Sequence, residues 1–150
     1  GRGDAGGEVL IQTYNPSHPA VRCAVDHDYR SFARQELELR KEAGYPPFVG
    51  LLNAVASGRD EKVVEEFIEE TAGRLRQRLR EKGLEERVFV LGPAPCPLEK
   101  LRGRYRFHMI VKSEEQDAIH DLGKWLASEA RPPSRGNCRM ALDRDPLSLM

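Results

Sequence analysis

No run of apolar residues in this 150-residue chain approaches the roughly 20 needed to span a bilayer, and the N-terminus lacks the apolar stretch of a secretory leader. A soluble, cytoplasmic protein without a membrane partner is expected. Net charge is missing too. With 24 Lys and Arg against 24 Asp and Glu there is no overall field, so any affinity for nucleic acid must come from local segregation of charge. Cysteine is scarce: Cys23, Cys96 and Cys138 are odd in number and far apart, with no C-x-x-C pair and no His at metal-ligand spacing. They read as reduced thiols filling small apolar spaces, not as ligands or nucleophiles. His18, His27, His108 and His120 form no cluster and are assigned no catalysis. Absent as well are a Gly-Lys-Ser/Thr phosphate loop, an Asp-Glu magnesium pair and any Ser-His or Cys-His motif. The chain is not expected to turn over ATP alone or to carry a metal or cofactor of its own.

What is present starts abruptly. Gly1-Arg2-Gly3-Asp4 precedes a β-branched apolar run, Val9 to Thr13, that suits a buried strand at the edge of a parallel sheet, and Asn15-Pro16 stops it. With no starting Met, this reads as part of a larger protein. An Arg between glycines just before a buried strand is how a nucleotide-driven motor ends its last ATP-facing loop. Tyr29, Phe32, Ala33 and Leu37 then recur at helical spacing, Asp28 can cap the first turn, and Gly44 with Pro46-Pro47 ends the helix. A connecting helix docked on a neighbour is expected. The Pro46-Pro47 step is the natural boundary between residues 1–47 and a domain over 48–150.

From Phe48 onward the pattern reads strand, helix, strand, strand, helix, strand. Phe48 to Ser57 is a strand, and Asp60 to Lys82 is a long helix with Val63, Val64, Phe67, Ile68, Ala72, Leu75 and Leu79 on one stripe, closed by Gly83. Arg87 to Leu91 is a strand, Gly92 to Pro97 a stiff proline-rich loop, and Arg104 to Lys112 another strand. Ser113 to Ala130 is a helix in which Ser113 and Gln116 form a capping box, and Asn137 to Asp143 closes the domain. This βαββαβ order is the split-βαβ or ferredoxin-like form of the α+β class, with two helices on one face of a four-stranded antiparallel sheet. The other face stays open for a partner.

Period-two alternation sends Tyr105, Phe107, Met109 and Val111 to one face and Arg104, Arg106, His108 and Lys112 to the other. Arg139 joins the second set from the last strand, while Lys100 and Arg102 lead into a Gly-bearing turn. Guanidinium groups so grouped suit phosphates or carboxylates, because the planar fork binds both in bidentate geometry. The plainer reading is a solvated strand face balanced by carboxylates such as Asp143. In the helix Asp60 to Lys82, acidic residues come first and basic residues last; helix-dipole complementarity and i,i+4 pairing explain this without a partner.

Several segments together resemble the C-terminal end of the primosomal protein N′ family, the PriA-type replication-restart helicases of superfamily 2. They are Gly1-Arg2-Gly3-Asp4 with Gly7 to Thr13, Asn15-Pro16, His18-Pro19, His27-Asp28-Tyr29, Gly44-Tyr45-Pro46-Pro47-Phe48, Gly92-Pro93-Ala94-Pro95, Gly103-Arg104-Tyr105-Arg106 and Asp143-Arg144-Asp145-Pro146. The match spans nearly the whole chain in the family's order. It implies that residues 1–47 are the tail strand and connecting helix of the second helicase lobe, with Arg2 matching the arginine that reaches the ATP γ-phosphate. The parent would use ATP and Mg and would bind zinc outside this chain. The family resemblance also implies partners: forked or single-stranded DNA, the acidic C-terminal tail of single-stranded DNA-binding protein, and other primosome proteins. Lys100, Arg102, Arg104, Arg106, Lys112 and Arg139 are the candidate DNA and anion contacts. The chain departs from the family where Phe107-His108 stands in place of Trp and where Arg144 interrupts an apolar ending; the first departure counts against base stacking by that strand. Two rival readings are a purely protein-docking module that takes an acidic peptide without DNA affinity, and a metabolite-sensing domain of the same fold. The latter ranks last, since neither a dimer interface nor a small-molecule pocket is legible.

Overall fold

A computed structural model describes residues 6–130 and 138–146. The chain divides into two compact units, Gly1–Leu39 and Arg40–Met150. Within the first, the expected strand Val9 to Thr13 is not formed; Val9 and Leu10 are 84% and 92% exposed. A strand exists only with a ladder partner, and none pairs with this one among the described residues. Helix α1, Pro19–Val25, follows with Pro at its start, and α2 spans Tyr29–Glu42. Asp28 accepts from the Ser31 N–H at 3.0 Å, the cap its sequence position suggests, and hydrogen bonding to Ser31 holds its carboxyl below the usual range. No residue of α2 is fully buried; along the stripe Phe32 and Ala33 are half-buried and Tyr29 and Leu37 exposed. An amphipathic face is buried only where a facing surface is supplied.

The second unit is the α+β domain. β1 (Gly50–Gly58), α3 (Glu61–Lys82), β2 (Phe89–Leu101), β3 (Arg104–Ser113), α4 (Gln116–Ser128) and β4 (Arg139–Arg144) follow in the βαββαβ order. The sheet runs β2-β3-β1-β4, with antiparallel pairing throughout. Leu52, Ala54 and Ala56 of β1 and Phe107, Met109 and Val111 of β3 meet Val64, Ile68, Leu75 and Leu79 of α3 and Ile119, Leu122 and Leu126 of α4 in one core. Both helices therefore cover the same sheet face. α3 is long because its apolar positions keep the 3.6 period, Asp60 caps the first turn by accepting from Val63 N–H at 3.1 Å, and Gly83 ends it at φ +63°.

Two further expectations, both in this unit, are corrected by the structure. Gly92 to Pro97 is not a loop but part of β2. Prolines have no N–H for a ladder, yet β2 is an edge strand, where outward-facing positions need no donor. Gly92, at φ +88°, absorbs the register shift between Leu91 and Ala94. The Ser113/Gln116 capping box is also not made. The Ser113 hydroxyl accepts from Glu115 N–H at 3.1 Å and donates to the Arg87 carbonyl at 2.8 Å, tying β3 to the segment just before β2. The Gln116 side chain instead accepts from Arg144 at 2.9 Å, joining α4 to the end of β4.

Candidate anion interface

The face of the sheet away from the helices is built by β3 alternation and by the residues paired with it. Ser57 of β1 lies opposite Arg106 of β3 and Arg139 of β4. Neighbouring strands lie about 4.8 Å apart, so the Arg106 and Arg139 backbones flank Ser57 at a separation of roughly 10 Å. Arg104 completes the group by donating to the Ser57 carbonyl at 3.0 Å. Three arginines thus lie at one end of this face, with Arg104 turned to β1 and Arg106 to β2. Arg106 has a long hydrogen bond to the Leu98 carbonyl at 3.5 Å, and Arg106 and Arg139 have no ion-pair partner among the described residues. Asp143, the expected counter-charge, is opposite Asn53, four residues along β4 from Arg139 and hence about 13 Å away.

The other candidates lie elsewhere. Lys100 pairs with Tyr105, on the helix-facing side of the sheet, where its ammonium sits 4.3 Å from the Tyr105 ring centroid and 3.2 Å from the phenol oxygen. Lys112 is six residues from Arg106, about 20 Å along the strand, and is held by the Ala43 carbonyl at 3.4 Å and the Tyr45 ring at 4.6 Å. Arg102 and Gly103 form the two-residue turn between β2 and β3, at φ +50° and +74°, which aims the exposed Arg102 off the sheet end next to Arg104. Arg2 lies outside the described residues.

Burial and then the Arg106 charge lower the pKa of His108, and its buried Nδ1 has no partner among the described residues. It adds apolar surface, not charge, at neutral pH. Phe107 is 8% exposed and belongs to the core, so it offers no base a stacking surface. Cys96 and Cys138 have thiol pKa values raised chiefly by burial, which keeps them protonated and inert. No group of three His, Cys, Asp or Glu side chains among the described residues could hold a metal. No helix among the described residues is long and apolar enough to cross a membrane. Alternation does not single out the exposed pair Phe89 and Leu91, on the same face near Lys112, since an apolar strand end reads as core until its register is known.

Comparison with known proteins places the chain in a family. The family described as Primosomal protein N C-terminal domain matches residues 41–147. The replication restart protein PriA of Synechocystis is 38% identical over 112 residues, 75% of this chain and 13% of that protein. Its Thermotoga maritima counterpart is 38% identical over 118 residues, 79% of this chain and 14% of that protein. The Haemophilus influenzae protein is 30% identical over 150 residues, 99% of this chain and 20% of that protein. The chain thus spans a fifth or less of the length of these relatives.

Proposed function

The chain belongs to the family of the primosomal protein N C-terminal domain, and from that membership we propose that it serves replication restart as a DNA-contacting and protein-docking module of a PriA-type 3′ to 5′ helicase. The observation that carries this reading is the grouping of Arg104, Arg106 and Arg139 at the Ser57 end of the sheet, with Arg106 and Arg139 lacking an ion-pair partner among the described residues. Planar guanidiniums on an otherwise open sheet take phosphate oxygens of forked or single-stranded DNA by bidentate hydrogen bonds. The same forks suit the carboxylates of an acidic peptide, so docking of the tail of single-stranded DNA-binding protein, and of other primosome proteins, is assigned to this surface too. ATP, Mg and zinc belong to the longer protein in this proposal, with Arg2 as the contact that this chain would lend to the nucleotide.

Competition tests the reading. Labelled forked DNA with a single-stranded arm should bind the chain at low salt, and an acidic tail peptide should displace it. Binding of the peptide with no measurable DNA affinity would replace the DNA role with the purely protein-docking one.

A further inference from the structure

A second surface lies at the opposite end of the sheet from the arginine group and has the opposite character. It is a cleft of about 700 Å³, within the range of ordinary ligand sites. Register builds its floor: Phe89 is opposite Lys112 and Leu91 opposite Ile110, so both apolar side chains share the open face, and they remain 62% and 52% exposed. Val49 and Gly44 line one side. That side is fixed because Lys112 grips the Ala43 carbonyl and the Tyr45 ring, holding the segment before β1 against the end of β3. Gly44 stands at φ +60°, a conformation that suits glycine and leaves the wall without a side chain.

The rim carries the charge. Glu86, Arg87, Glu114 and Glu115 surround the floor. Arg87 is paired with Glu115 at 2.7 Å, whereas Lys112, positioned by the Ala43 carbonyl and the Tyr45 ring, keeps its positive charge. Glu86 and Glu114 are exposed and have no ion-pair partner among the described residues. Glu86 and Glu114 outnumber the single unpaired cation among the described rim residues, Lys112, so the apolar floor keeps a negative excess on its rim, which disfavours DNA phosphate and acidic tails alike.

We propose that this cleft docks a protein segment presenting an apolar side chain flanked by lysine or arginine. The apolar group would cover Phe89 and Leu91, and the flanking cations would meet Glu86 and Glu114. Docking here would leave the arginine group at the far end free, so one domain could hold a basic partner segment and an anionic ligand together.

The test uses fluorescence anisotropy of a labelled hexapeptide of alternating lysine and leucine, titrated with the whole chain. Two control peptides replace every lysine with glutamate or every leucine with serine. The first peptide should bind saturably and the controls at least about tenfold more weakly. Glu86→Gln with Glu114→Gln should weaken binding about fivefold, since two exposed ion pairs contribute about that much. Leu91→Ser, at an exposed position, should weaken it as strongly, and Arg106→Ala should leave it unchanged. Circular dichroism and the melting temperature confirm that each variant is folded. Equal binding of the glutamate peptide, undiminished binding in both cleft variants, or no binding by the lysine-leucine peptide would overturn the proposal. So would a concentration-dependent dimer abolished by Leu91→Ser, which would make a second copy the occupant. None of these outcomes bears on DNA binding by the arginine group, so the two readings fail separately.

Discussion

At the scale of single residues, the most telling is Arg102. It holds φ +50° in the turn before β3, a left-handed conformation that costs a non-glycine residue about 1 kcal/mol. Asn or Gly would fill this turn at less cost. A cation kept at a strained position beside the arginine group fits use of its charge. Arg102→Gly is expected to raise stability by about 0.5–1 kcal/mol in urea unfolding while lowering affinity for forked DNA. A gain in stability with unchanged affinity would remove Arg102 from the interface. His108 couples stability to pH. Burial and Arg106 lower its folded pKa, so the unfolded chain binds its proton more readily. Stability from this group is full above the unfolded value of about 6.5 and falls as pH drops through it toward the lower folded value. Unfolding curves between about pH 7.5 and 5 should show this loss, and His108→Gln should reduce it; an identical pH slope in the variant would assign the effect elsewhere.

At the scale of elements, β2 is where local pattern and structure part. Its first residues, Phe89, Val90 and Leu91, have the apolar character that identifies a strand, but Pro93, Pro95 and Pro97 disguise its middle as a loop. What makes them tolerable is edge position, a tertiary fact that no window of sequence contains. The bulge at Gly92 is equally specific: an added Cβ would come within 3.0 Å of the His108 carbonyl and 3.2 Å of Ala94 N, at a φ of +88°. Gly92→Ala should destabilise the domain by about 1–3 kcal/mol, read by chemical denaturation, and a loss under about 0.5 kcal/mol would show that the bulge shifts freely. By contrast α3 is legible nearly to the residue, because the apolar period, Asp60 and Gly83 all specify the same limits. The start of α4 is not: Ser113 and Gln116 have capping-box spacing, but each finds a partner distant in sequence, Arg87 and Arg144. Alternation alone places the arginines of β3 on one face. That Arg139 joins them at Ser57 while Lys100 turns to Tyr105 depends on strand order and register, which the residues do not spell out.

At the scale of the whole molecule, burial is uneven. Neither α1 nor α2 contains a buried residue, whereas the buried apolar residues among those described all come from Leu51 onward. The domain from Arg40 should therefore fold alone. A chain beginning at Arg40 is expected to melt within about 4 °C of the 150-residue chain, a difference below about 1 kcal/mol. A larger fall would show that residues before Arg40 stabilise it. The sheet of this domain also segregates charge along its length, with a cationic end at Ser57 and an apolar, acid-rimmed end at Phe89 and Leu91. That segregation is why zero net charge is uninformative about nucleic acid. Contact of the cationic end with DNA backbone is read from the salt dependence of forked-DNA binding in Arg106→Ala with Arg139→Ala. Each phosphate contact on a single strand contributes about 0.7 to the slope of log K against log salt, so the double variant should have a slope shallower by about 1.4. An unchanged slope in a folded double variant would mean that Arg106 and Arg139 do not touch phosphate.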